Sequence, residues 1–94
     1  MKKLLWHLVV GTGGGINRAR ILVLLKERPY NANSLASELG VDYKTVRHHL
    51  KVLKRNDLVM TSEGEEYGTL YFLTPTILRF WKEFEEIWEK VGKK

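Results

Sequence analysis

The 94-residue chain has no cysteine, no glutamine and only two prolines, and its apolar runs are short. Each shortage excludes something. Without cysteine there are no disulfides, no thiolate zinc sites and no cysteine nucleophile, which fits a cytoplasmic protein. A membrane span needs about 18 or more consecutive apolar residues, and the run Leu4 to Val10 falls well short of that. With Lys2 and Lys3 before it, the same run makes a poor signal peptide, because Gly11 to Asn17 offers no convincing small-residue cleavage site. The missing glutamine beside plentiful Lys, Arg and Glu is a faint thermophile signature. A catalytic constellation is also lacking. Glu83, Glu85, Glu86 and Glu89 sit on a helix surface with no evident partner, so an enzyme is not expected and no cofactor is implied.

What is present reads as one small globular domain. Hydrophobic residues make up 44% and charged residues 29%, too apolar a mix for a disordered chain. A chain of this length buries only about two thirds of its unfolded surface, so the core is thin. The charge is uneven. Residues 1–60 carry a net +7 and residues 61–94 a net −2, giving the overall +5. A basic front with a mildly acidic tail fits a polyanion met by one region of the molecule; the bland alternative is a solvated basic surface.

Lys2 to Val10 could be helix or strand. Leu4, Leu5, Trp6 and Leu8 lean helical, Val9 and Val10 lean extended, and Gly11 suits a helix end, so a short helix is the reading. Asn17 is an expected N-cap for a helix from Arg18 to Arg28, stopped by Pro29. A second helix runs from Asn33 or Ser34 to Leu39 and ends at Gly40. Asp42 caps a third, Tyr43 to about Asn56. Leu58 to Ser62 and Tyr67 to Leu73 read as two strands joined by a hairpin at Glu63-Gly64-Glu65-Glu66. Thr74-Pro75 then starts a long closing helix that reaches about Val91.

Two short helices joined by Gly40-Val41-Asp42 and followed by a hairpin make a winged helix-turn-helix. The expected fold class is therefore α+β, mainly helical, with a two-stranded wing and a long C-terminal helix. Projected at 100° per residue, the third helix places Val46, His49, Leu50 and Leu53 on one stripe. Lys44, Arg47, His48, Lys51, Lys54 and Arg55 fall on the other side. Tyr43 to Arg55 contains five Lys and Arg and no acid. Such a helix fits a major groove, with its apolar stripe fixed to the core and its cations facing phosphates and guanine edges. An ordinary solvated helix would mix signs for i,i+4 pairing, as this one does not. The expected DNA-binding residues are Tyr43, Lys44, Thr45, Arg47, His48, Lys51, Lys54 and Arg55, on a recognition helix spanning 43–56.

The stretch NANSLASELGVDYKTVRHHLKVLKRNDLV, residues 31–59, resembles the helix-turn-helix of ArsR-like winged-helix transcription regulators, most of all the short archaeal members. Leu35-Ala36, Thr45-Val46, His49-Leu50 and Leu53 with Asp57-Leu58-Val59 carry the likeness, and Tyr71 to Thr74 resembles the end of the family's wing. It covers roughly residues 17–75. The resemblance implies a dimeric, repressor-like binder of double-stranded DNA, with His49 as a semi-buried core histidine and not a ligand. The metal-sensing members carry a cysteine pair at the start of the recognition helix. This chain has none, so thiolate metal sensing does not carry over.

The remaining features divide between functional and bland readings. Gly11-Thr12-Gly13-Gly14-Gly15 precedes a helix but matches neither phosphate-loop pattern; a flexible hinge is the first reading and a backbone-amide contact to DNA phosphate the second. His48 and His49 are adjacent and diverge by 100° on a helix, so no metal site is expected. In the closing helix, Ile77, Phe80, Trp81, Phe84, Ile87, Trp88 and Val91 form a continuous apolar stripe. It is too wide for a small core to hide, and the expectation is a homodimer seam, helped by Leu4, Leu5 and Trp6; packing wholly within the monomer is the alternative. The expected organisation is an N-terminal apolar segment and Gly-rich hinge over 1–16, the DNA-binding domain over 17–75 and a dimerisation helix over 76–94, all in one compact unit. The sequence thus reads as a homodimeric, sequence-specific transcription regulator. A winged helix serving as a protein-interaction module in a larger nucleic-acid-related assembly is the rival. Nothing in it names a small-molecule effector.

The hairpin tip offers Glu63, Glu65 and Glu66, which repel phosphate. Replacing all three by Gln should leave duplex affinity unchanged or raise it in a binding titration. A marked loss would show that these acids orient a basic neighbour or accept hydrogen bonds from bases.

Overall fold

A computed structural model describes residues 1–62 and 68–91. The glutamates of the hairpin tip and Tyr67 lie outside the described residues. The elements are α1 (Lys2–Val9), α2 (Gly15–Glu27), β1 (Tyr30–Asn31), α3 (Ala32–Leu39), α4 (Tyr43–Arg55), β2 (Val59–Thr61), β3 (Leu70–Leu73), α5 (Pro75–Arg79) and α6 (Trp81–Val91). The antiparallel sheet has the order β1-β3-β2. Tyr71, on the central strand, faces Tyr30 on one side and Thr61 on the other. The fold is a winged helix, mainly helical, with a small sheet packed against it.

The helix-turn-helix follows from local chemistry. The Asn31 side chain accepts from the amide of Ser34, 2.8 Å away, and starts α3. Gly40 ends α3 in the left-handed conformation at φ 72°, which a side chain would resist. Asp42 opens α4 with extended backbone, its carboxylate accepting from the Thr45 hydroxyl. Leu35 from α3, Val46, Leu50 and Leu53 from α4, and Ile21 and Leu22 from α2 meet in the core. α1 is a helix, as read, and closes the other side. Its Leu5 is fully buried, and α1 lies against both α2 and α6.

Four expectations need correction. First, α2 starts at Gly15 with Gly14 as its N-cap, and Asn17 lies inside it, its Oδ1 accepting from Arg20 at 3.4 Å. Second, the Gly11–Gly15 segment is a pinned turn and not a free hinge. The Arg18 guanidinium donates to the Gly13 carbonyl at 3.2 Å and to the Thr12 hydroxyl, and its Nε donates to the Leu8 carbonyl at 2.9 Å. Third, the wing has a third strand. Arg28 is extended before Pro29, and the chain leaves it to place Tyr30 and Asn31 beside β3; the wing strands themselves are shorter than expected. Fourth, the closing helix is broken at Phe80, at φ −105° and ψ 21°. α5 is fastened to the turn after α4: the Thr74 hydroxyl donates to the Asp57 carbonyl at 2.8 Å and the Thr76 hydroxyl to the Asp57 carboxylate at 2.9 Å. α6 instead runs along α1.

Gly14 and Gly40 both have positive φ, but their surroundings differ. A Cβ on Gly40 would meet open space, whereas one on Gly14 would lie 2.5 Å from Cε1 of His49. Gly40→Ala should cost about 1–2 kcal/mol, the left-handed backbone penalty alone. Gly14→Ala should cost distinctly more, since the ring it strikes is held in place. Urea unfolding of both variants checks the order; equal losses would mean that the ring yields freely.

Candidate nucleic-acid interface

Helix α4 divides cleanly by burial. Val46, His49, Leu50 and Leu53 are buried, while Tyr43, Lys44, Arg47, His48, Lys51, Lys54 and Arg55 are exposed. Lys54 and Arg55, in the last turn, also complement the negative end of the helix dipole. The exposed face is not flat. A cleft of about 410 Å³ between α4 and the wing gathers Lys44, Arg47, His48, Lys51 and Lys54, with Leu50 and Tyr71 completing its lining. Lys54 Nζ reaches across to donate to the Thr61 hydroxyl of β2 at 3.2 Å.

Five of the eight expected DNA-binding residues therefore share one concave surface. The other three are placed differently. Tyr43 lines a neighbouring cleft with Arg47 and Tyr71. Thr45 is half-buried and gives its hydroxyl hydrogen to Asp42, which holds the Asp42 carboxyl below its ordinary pKa. Arg55 is exposed but outside both clefts. The sequence reading missed Tyr71, Asn31, Asn33 and Thr69, which line one or both clefts. The alternation of β3, with Tyr71 and Leu73 inward, carried a signal for Tyr71. The others required the pairing of β1 with β3.

Behind this face, His49 is buried against Arg18. Nη1 of Arg18 lies 3.3 Å from His49 Nδ1. A guanidinium only donates, so Nδ1 accepts and the proton of the neutral ring is on Nε2. Burial, then the Arg18 charge, then that of His48 hold the His49 pKa below its ordinary 6.5. Burial likewise lowers the pKa of Arg18. Among the described residues, no group of three or more His, Asp or Glu is gathered to hold a metal.

The expected dimer stripe is split. Ile77, Phe84 and Ile87 are fully buried in the molecule's own core and leave no surface for a partner. Phe80, Trp81, Trp88 and Val91 remain half-exposed. The Trp81 and Trp88 rings lie 4.7 and 6.4 Å from that of Phe84, and Lys26 Nζ sits 5.4 Å from the Trp81 ring. Trp6 on α1 is 44% exposed, whereas Leu5 is not available.

Comparison with known proteins agrees with this geometry. Residues 17–61 match the model of a family described as bacterial regulatory protein, arsR family. A double mutant of Lactococcus lactis ZitR is similar at 27% identity and a TM-score of 0.70, covering 80% of this chain and 53% of its own. Wild-type Lactococcus lactis ZitR in complex with DNA is similar at 28% identity and a TM-score of 0.66, covering 79% and 52%. The Zalpha domain of Carassius auratus PKZ in complex with Z-DNA is similar at 26% identity and a TM-score of 0.61, covering 67% of this chain and all of that domain. The chain thus spans about half the length of the ZitR chains that it matches. A search of curated proteins returns no match. These matches are to a regulatory family and to structures that include two DNA complexes.

The lowered pKa of His49 fixes a pH dependence. The folded state favours the neutral ring, so its stability is full above the ordinary pKa of 6.5 and declines as pH falls through it toward the lowered value. Thermal melts between about pH 8 and about pH 5 should show this decline in the parent. His49→Gln retains an acceptor for Arg18 without titrating and should show a shallower one. Parallel slopes would mean that folding leaves the titration of the ring unchanged, and a steeper decline in the variant that the fold favours the protonated ring.

Proposed function

We propose that the chain is a sequence-specific, double-stranded DNA-binding transcription regulator of the ArsR-like kind, acting as a cytoplasmic homodimer. Helix α4 is its recognition helix, lying in the major groove. The observation that carries the reading is the cleft that collects Lys44, Arg47, His48, Lys51 and Lys54 on a helix without a single acid. Mixed-sign surfaces serve solubility; a one-sign concavity attracts a polyanion. The lysines supply salt-dependent attraction to phosphate, and Arg47, in the first half of the helix, supplies base contact. The likeness of residues 17–61 to a regulatory family and of the fold to DNA-bound ZitR supports the same function. The affinity for the short archaeal members rests on the helix-turn-helix residues alone. No helix among the described residues is long and apolar enough to cross a membrane.

The homodimer uses the part of the closing helices that the core leaves uncovered. Trp81 and Trp88 are its anchors, with Phe80 and Val91 beside them and α1 adjoining through Trp6. A two-fold dimer would present two α4 helices to half-sites about one helical turn apart.

Arg47→Ala should weaken binding to a selected duplex by about 1–3 kcal/mol and relax its sequence preference. Unchanged affinity at physiological salt would refute the assignment of α4. Trp88→Ala should weaken self-association by about 2 kcal/mol or more, and DNA affinity should fall with it. Analytical ultracentrifugation at micromolar concentration reads this directly. A monomeric parent that still binds its duplex tightly would sink the dimer.

A further inference from the structure

Arg47 is held differently from the lysines around it. One of its terminal nitrogens, Nη1, donates to the Tyr43 hydroxyl at 3.0 Å, while the guanidinium centre stands 5.7 Å from the Tyr43 ring centroid. The contact is therefore made by the phenol oxygen more than by the ring face. Tyr71 lines both clefts with Arg47, and the second cleft, of about 210 Å³, adds the uncharged Asn31, Asn33 and Thr69. Arg47 thus stands at the boundary between a basic cleft and a neutral one. The hydrogen bond to Tyr43 favours its charged form.

An unrestrained arginine loses much rotamer freedom when it docks, and a loose one satisfies any phosphate within reach. A guanidinium tied at Nη1 keeps its remaining N–H groups in a fixed fork, and guanine N7 and O6 accept such a fork side by side. Having accepted from Arg47, the Tyr43 hydroxyl still has its own hydrogen to donate. We infer that Tyr43 and Tyr71 are positioning residues that make Arg47 a reader of guanine rather than a phosphate clamp. Preference at one base pair then depends on two uncharged side chains. The inference rests on α4 being the recognition helix.

The test is selection of bound sequences from a random duplex library by the parent, Arg47→Lys, Tyr43→Phe and Tyr71→Phe. Each protein is also titrated against an unrelated duplex of equal length. The parent should fix a guanine at one position of each half-site, and Arg47→Lys should flatten that position. Tyr43→Phe should lower the guanine preference there by roughly 3–10-fold, a larger loss than at the other positions or on the unrelated duplex. Tyr71→Phe should act in the same direction. Tyr43 is 45% exposed, so its variant keeps the fold and decides the matter even if Tyr71→Phe does not. A parent-like profile for Tyr43→Phe beside a flattened one for Arg47→Lys overturns the positioning role and spares the reading of α4. Equal losses on selected and unrelated duplexes make the phenol a phosphate contact and also overturn it. An unaltered profile for Arg47→Lys overturns the reading of α4, and the inference with it.

Discussion

A buried positive charge organises this small protein. Arg18 is 4% exposed, and its guanidinium is met by the Leu8 and Gly13 carbonyls, the Thr12 hydroxyl and Nδ1 of His49. Removing such a group from water costs several kcal/mol unless its donors are satisfied. Here they are satisfied by neutral acceptors drawn from the end of α1, the glycine turn and α4. The end of α1, the glycine turn that follows it and the distant helix α4 are brought to one point, and the demand of one side chain for acceptors sets the path of the glycine turn. The neutral form of His49 is part of the same requirement, because an imidazolium would turn an Nδ1–H donor against the Arg18 donor.

The two faces of α4 are consequences of the same economy of space. A thin core needs Val46, His49, Leu50 and Leu53 inward, and that orientation turns Lys44, Arg47, His48 and Lys51 outward together. The wing then converts a basic ridge into a basic cleft, since the central strand places Tyr71 at its wall and β2 places Thr61 within reach of Lys54. Neither the helix nor the sheet forms that concavity alone.

The helix-turn-helix was legible in the sequence because its signals are local. Gly40, Asp42 and Thr74-Pro75 mark boundaries by their own backbone chemistry, and the amphipathic period of α4 fixes its faces. The features that escaped have causes distant in sequence. Strand β1 is two residues long, too short for a period, and exists because β3 lies beside it. The break at Phe80 has no Gly or Pro to announce it. Asn17 is a good capping residue by type, yet the helix begins earlier because Arg18 pins the turn before it. The stripe on the closing helix was correctly read as apolar, but its pattern could not say that the molecule's own core would claim Ile77, Phe84 and Ile87.

The fastening of Thr74 and Thr76 to Asp57 has a mechanical consequence. Asp57 lies in the turn directly after α4, and Leu58, next to it, accepts from the amide of Thr74 at 3.2 Å. The C-terminus of α4 and the N-terminus of α5 are therefore a single joint. Packed, hydrogen-bonded elements carry displacement as units. α5 is therefore tied to the end of α4, whereas α6 begins only after the break at Phe80 and is held by α1, so the closing segment answers to two different parts of the fold.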